Sequence, residues 1–209
     1  MKISQFLLIL FLPLVIVLSN LLFLINNFSF YETIYKKENV YQNFDTVSHV
    51  TTATEELIGY FRGQNKLEDN IYSIQAKIHL KDVKWLIDLA SIINFLSVFI
   101  VILTVIFFLK KKKIKQLRRS VLLGSSFTIS LVIILTVSLV FNFDILFIKF
   151  HQIFFRNNLW LFPQDDNLIK LFPVSFFVEF TKRLLINIFV TVFVLLFLVY
   201  FLPYDSKTN

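Results

Sequence analysis

Four stretches of this chain run the length of a bilayer without one charged residue: 6–25, 89–109, 121–143 and 184–202. A helix needs about 20 mostly apolar residues to cross the hydrocarbon core, where every backbone polar group must be satisfied internally. These runs are unbroken rather than alternating, so they predict helices. The expected fold is an all-α integral membrane protein with four transmembrane helices in a single membrane domain. A mean hydropathy of +0.72 agrees. Pro13 is a candidate kink in the first run. That run is read as a retained span, because it is long for a signal-peptide core and no small-residue cleavage site precedes Asn26.

Orientation follows from one basic run. Lys110, Lys111, Lys112, Lys113, Lys115, Arg118 and Arg119 supply the whole net charge of +7; the rest of the chain balances. Short membrane-flanking loops rich in Lys and Arg face the cytoplasm. The loop 110–120 is therefore expected there, with both termini, and the run reads as a topology signal rather than a nucleic-acid footprint. Membrane lipids are expected partners. The segments 26–88 and 142–183 then fall outside the cell membrane and form a mostly helical extracellular cap.

Within the first cap segment, residues 31–40 have weak helical spacing. Thr52 and Glu55 have the spacing of a capping box, opening a helix to about Arg62 with Leu57, Ile58 and Phe61 on one side and Gly63 as its stop. Asp69 or Asn70 is a candidate cap for a helix running on into the second span. His79, Asp82, Val83 and Leu86 then share one face. In the second segment, His151, Phe154 and Phe155 fit one side of a short helix that Pro163 and the following polar cluster break. Leu168 to Leu171 and Phe176 to Phe180 read as a membrane-hugging piece interrupted by Pro173. Thr104, Thr128, Thr136 and Asn187, inside the spans, suit helix-packing hydrogen bonds.

The chain has no cysteine, no serine-hydrolase elbow, no H-E-x-x-H zinc motif and no glycine-rich phosphate loop. No cofactor and no metal are expected, and any chemistry must be downhill or driven elsewhere. What remains is two histidines, each within a few residues of an apolar run: His79-Leu80-Lys81-Asp82-Val83-Lys84 and Phe150-His151-Gln152-Ile153-Phe154-Phe155. Histidine exchanges a proton near neutrality, and Asp82 is placed to orient His79. The plainer reading of each is a solvated interface residue, and of His49, among serine and threonine, it is the preferred one. A metal-dependent hydrolase using His79, His151 and Asp166 is a further possibility, as is a non-enzymatic assembly or sensor protein.

The two segments resemble the bacterial lipoprotein intramolecular transacylases, four-span proteins with an extracellular cap. His79, Leu80, Asp82, Val83 and Lys84 match one motif of that family. Phe150, His151, Ile153, Phe154, Phe155, Asn157, Trp160 and Phe162 match a second, more specific one. Asn158 stands where the family commonly has an acid, residues 163–166 match its acidic run loosely, and the acid after Leu-Pro is missing at Pro173. The resemblance implies an acyl shift inside a diacylglyceryl lipoprotein, from the glycerol sn-2 ester to the α-amine of its N-terminal cysteine, giving the lyso-form. On this reading His79 and His151 are catalytic acid and base at the outer leaflet. Phe154, Phe155, Trp160 and Tyr60 line a dry pocket, and Asp82, Lys84, Asn158 or Arg156 orient or stabilise the reacting groups. The aromatic rings serve equally as interfacial anchors, and Lys84, Arg156 and Asn158 as headgroup contacts.

Overall fold

A computed structural model describes residues 2–68 and 71–202, the side chains of Leu139 and Val140 apart. Asp69 and Asn70 lie outside the described residues. The described elements are α1 (Ile3–Ile25), α2 (Phe28–Lys37), a 3-10 turn (Val40–Asn43), α3 (Val47–Phe61), α4 (Ile74–Lys110), α5 (Ile114–Phe154), α6 (Asn167–Leu171) and α7 (Val174–Tyr200). No strand occurs among the described residues. Helices α1, α4 and α7, and α5 over Ile114–Ser138, are long and apolar enough to cross a membrane.

Contacts divide the chain into two compact units. The first combines the stretches before residue 22, 90–137 and after 183. Its core is aliphatic, around Leu8, Leu12, Ile16, Phe108, Val121, Ile188 and Val192. Fully buried Ser97, Ser120 and Thr128 allow close packing. Thr104, Thr128 and Thr136 bond the carbonyls of Ile100, Gly124 and Val132, four residues back on their own helices. Polar side chains that do link helices include Ser19 with Asn94, at 3.2 Å, and Asn20 with Thr191, at 3.2 Å. Only residues 111–113 separate α4 from α5, with Lys112 left-handed (φ 53°). The loop expected over 110–120 is thus mostly helix. Arg118, on α5, donates to the carbonyls of Tyr200 and Leu202 and so closes the end of α7.

The second unit, residues 22–89 and 138–183, has an aromatic core. Tyr31, Tyr35 and Tyr72 are buried with Phe172 and Phe176. A buried hydroxyl without a partner is costly, and each has one: Tyr31 donates to the Ile25 carbonyl at 3.0 Å, Tyr35 meets Thr54 Oγ1 at 3.0 Å, and Tyr72 donates to the Ala53 carbonyl at 2.6 Å. Helix α3 starts earlier than the sequence suggests. Thr46 caps it, accepting from the His49 amide at 3.2 Å. Nothing between Val47 and Thr52 breaks the helix, and Val50 and Ala53 are fully buried, so Thr52 and Glu55 fall within it. Gly63, at φ +75°, does follow its end.

The polar first half of α4 is helical too. Ser73 accepts from the Ala76 amide at 3.1 Å and opens it. The helix has 37 residues, about 55 Å at the standard rise and far longer than a hydrocarbon core. Its uncharged stretch begins after Asp88, so His79 stands outside the crossing segment. Helix α5 breaks at Asn142 (φ −166°, ψ 91°), whose Oδ1 accepts from the Ile145 amide at 3.0 Å and caps a second helical piece ending at Phe154. Phe176 to Phe180 are no separate piece: Pro173 precedes the first residue of α7, where proline is compatible with a helix start.

Candidate functional site

Helix α4 and the end of α5 bring His79 and His151 together in the second unit. Their rings stack at 6.1 Å with an interplanar angle of 27°. Each histidine is 7% exposed. Phe155 lies 5.0 Å from His79 and 5.4 Å from His151. Phe162 closes on His79 at 5.6 Å, while Trp160 and Phe147 flank His151 at 4.8 and 4.2 Å. The local sequence explains the convergence. Phe147, Phe150 and His151 follow helical spacing on the capped last segment of α5, and the chain leaves the helix at Phe155, turning that ring under both imidazoles.

The loop 155–162 is hydrogen-bonded to α4 at two points about two turns apart. Gln75 Nε2 donates to the carbonyls of Leu159 and Leu161, at 3.0 and 2.9 Å. Asn157 Nδ2 donates to Asp82 Oδ2 at 2.9 Å. His79 stands between these two points on the helix. Further on, Asp166 caps α6 through the Leu168 amide at 2.8 Å and accepts from Ser73 at 2.7 Å. Its carboxylate is thus committed to backbone and hydroxyl partners, and no three His, Asp or Glu side chains group as metal ligands among the described residues.

Burial governs the electrostatics, because a charged imidazole is poorly solvated there. It pushes His79 down to about 4, with nearby His151 adding to the fall and Asp82 opposing it. Burial also lowers His151, against the bond to Phe147. Both shifts favour the neutral ring, so a proton taken up here is readily given back. That bond, His151 Nδ1 to the Phe147 carbonyl, is 2.7 Å. A carbonyl only accepts, so Nδ1 carries the hydrogen and Nε2 keeps its lone pair. His79 Nδ1 is buried with no protein partner among the described residues.

The other expected site residues divide. Phe155 and Trp160 join the histidines, and Asp82 touches the loop through Asn157. Phe154 does not join them: it is 50% exposed and packs on Phe150 at 4.8 Å. Lys84 donates to the Phe61 carbonyl and Asp88, at 3.1 and 3.2 Å, and lies over the Tyr60 ring at 5.9 Å. Tyr60 and Lys84 therefore form a group of their own. Asn158 and Arg156 are exposed. His49, on α3, meets Phe44 edge-on at 5.5 Å. Phe147 and Gln75 are the residues that sequence reasoning missed. Phe147 was findable, one turn before His151 on the same face; Gln75 bonds only backbone and leaves no mark in a motif.

A protein-family model described as lipoprotein intramolecular transacylase Lit matches residues 6–177. The structure of the membrane integral lipoprotein intramolecular transacylase Lit from Bacillus cereus, determined in meso, matches with a TM-score of 0.80 and 22% identity, over 94% of this chain and 92% of that one. Two further structures of the Bacillus cereus protein carry one histidine replaced. The alanine variant gives a TM-score of 0.78 at 21% identity, covering 95% of this chain and 91% of that one. The arginine variant gives 0.75 at 20%, covering 94% and 90%. These likenesses show a common fold. No curated protein sequence matches the chain.

Proposed function

This chain belongs to the lipoprotein intramolecular transacylase family, and on that premise we propose that it moves the sn-2 acyl chain of a diacylglyceryl lipoprotein onto the α-amine of the N-terminal cysteine. The observation that carries the reading is the pair of neutral imidazoles, 6.1 Å apart, enclosed by aromatic rings. Ester and amine belong to one substrate molecule, so the enzyme's main task is to hold it bent. Correct positioning alone lowers such a barrier by about 7–11 kcal/mol. The amine nitrogen attacks the ester carbonyl carbon, and His151 Nε2 takes the proton it sheds. The N–H of neutral His79 donates to the oxyanion of the tetrahedral intermediate. The bond from carbon to the glyceryl oxygen then breaks, and His151 returns its proton to that oxygen. Nothing is consumed, and ester to amide is downhill. The surrounding rings keep out water, which would divert the ester to hydrolysis.

The basic residues 110–119 support a topology with both termini cytoplasmic and the histidines at the outer leaflet. Co-expression with a diacyl lipoprotein tests the reaction. The lipoprotein's mass stays constant, because an acyl group only changes place, while its N-terminal fragment ion gains an acylated cysteine. A free amine on that fragment would overturn the proposal and leave a binding role.

A further inference from the structure

We infer that Gln75 is a positioning residue that seats Trp160 against His151 by holding the two backbone carbonyls on either side of it. The inference rests on the acyl-shift reading only for its effect on rate. Its geometry stands alone. The Gln75 carboxamide uses its two N–H bonds on Leu159 and Leu161, at 3.0 and 2.9 Å. The residue between them, Trp160, puts its ring 4.8 Å from His151 at an angle of 33°. Gln75 sits one turn before His79 on α4, so the helix that carries one imidazole also fixes the wall behind the other. A loop held at one carbonyl can pivot about that bond; held at both neighbours of Trp160, it cannot turn the indole away. Asn157 donates to Asp82 of α4 from the same loop, on the far side of His79. Without Gln75 the loop keeps its attachment and loses its orientation.

The test uses the full chain with Trp85→Phe, which removes an exposed indole and leaves Trp160 as the sole tryptophan. Into this parent go Gln75→Met, which deletes the donors, and Gln75→Glu, which keeps the shape and replaces them with an acceptor. Both variants should red-shift Trp160 emission and raise its quenching by acrylamide. With a synthetic diacyl lipopeptide, kcat should fall by ~10- to 100-fold, the scale of a misplaced group, while KM stays within about twofold. If Gln75→Met fails to fold, the Glu variant decides. Unchanged Trp160 emission and quenching overturn the inference, whatever the rate does. A parent that shifts no acyl group refutes the acyl-transfer reading, and the fluorescence then still decides the role of Gln75 by itself.

Discussion

Both units bury apolar side chains, but they differ in what accompanies them. In the first, Ser97, Ser120 and Thr128 are fully buried between the helices while many large residues face outward, Phe193 being 63% exposed and Phe197 55%. In the second, Tyr35, Tyr72 and Leu171 are the buried ones. Lipid tails solvate apolar side chains as well as a protein interior does, so a bundle in lipid gains from close packing rather than from hiding them. The second unit instead gathers tyrosine rings and bonds the buried hydroxyls of Tyr31, Tyr35 and Tyr72. The two imidazoles lie in the second unit, against the rings of Phe147, Phe155, Trp160 and Phe162.

The largest effect expected from this contrast is on stability. Leu171→Ala, at a fully buried site of the second unit, should cost about 2–5 kcal/mol. Phe193→Ala, a bigger truncation in the first, should cost under roughly 0.5 kcal/mol, because lipid fills the space. Tryptophan-fluorescence melting in detergent and in nanodiscs checks both; equal losses would erase the distinction between the units. Acidification acts next. His79 titrates lower in the folded chain than in the unfolded one. The unfolded chain therefore binds the proton first, and stability is lost as pH falls from 6.5 towards 4. The melting temperature should drop across that window, and His79→Gln should flatten the slope. A smaller loss than that of Leu171→Ala is expected at Gly63, in the second unit. A methyl there meets nothing within 4 Å, so Gly63→Ala should cost only the left-handed backbone penalty, about 1–2 kcal/mol, read from the same melts.

The sequence makes the four crossing helices legible because unbroken apolar runs have one outcome in lipid. It hides how far those helices continue. A helix running on into the second span is legible, but its start at Ile74 is not, nor is the joining of the short helix around His151 to the third span, because hydropathy reports the solvent around a residue rather than its backbone. A side-chain cap, Asn142 within α5, and a proline before α7 decide those boundaries. At the site, the histidines stand out by chemistry and motif. Phe154 shares their motif, yet is half exposed, packed on comparably exposed Phe150 one turn back. Lys84 and Tyr60, on α4 and α3, find each other. Such pairings depend on how distant segments meet, which no local pattern encodes.

The central claim is that the two stacked imidazoles work as one unit on one substrate. Rates of N-acylation should be measured with purified protein and a synthetic diacyl lipopeptide for His79→Ala, His151→Ala and the double variant. Each single change should lower kcat by ~100- to 10,000-fold, and the double variant should be little worse than the poorer single one. Either single variant at the parental rate, or losses that multiply in the double, would contradict the account.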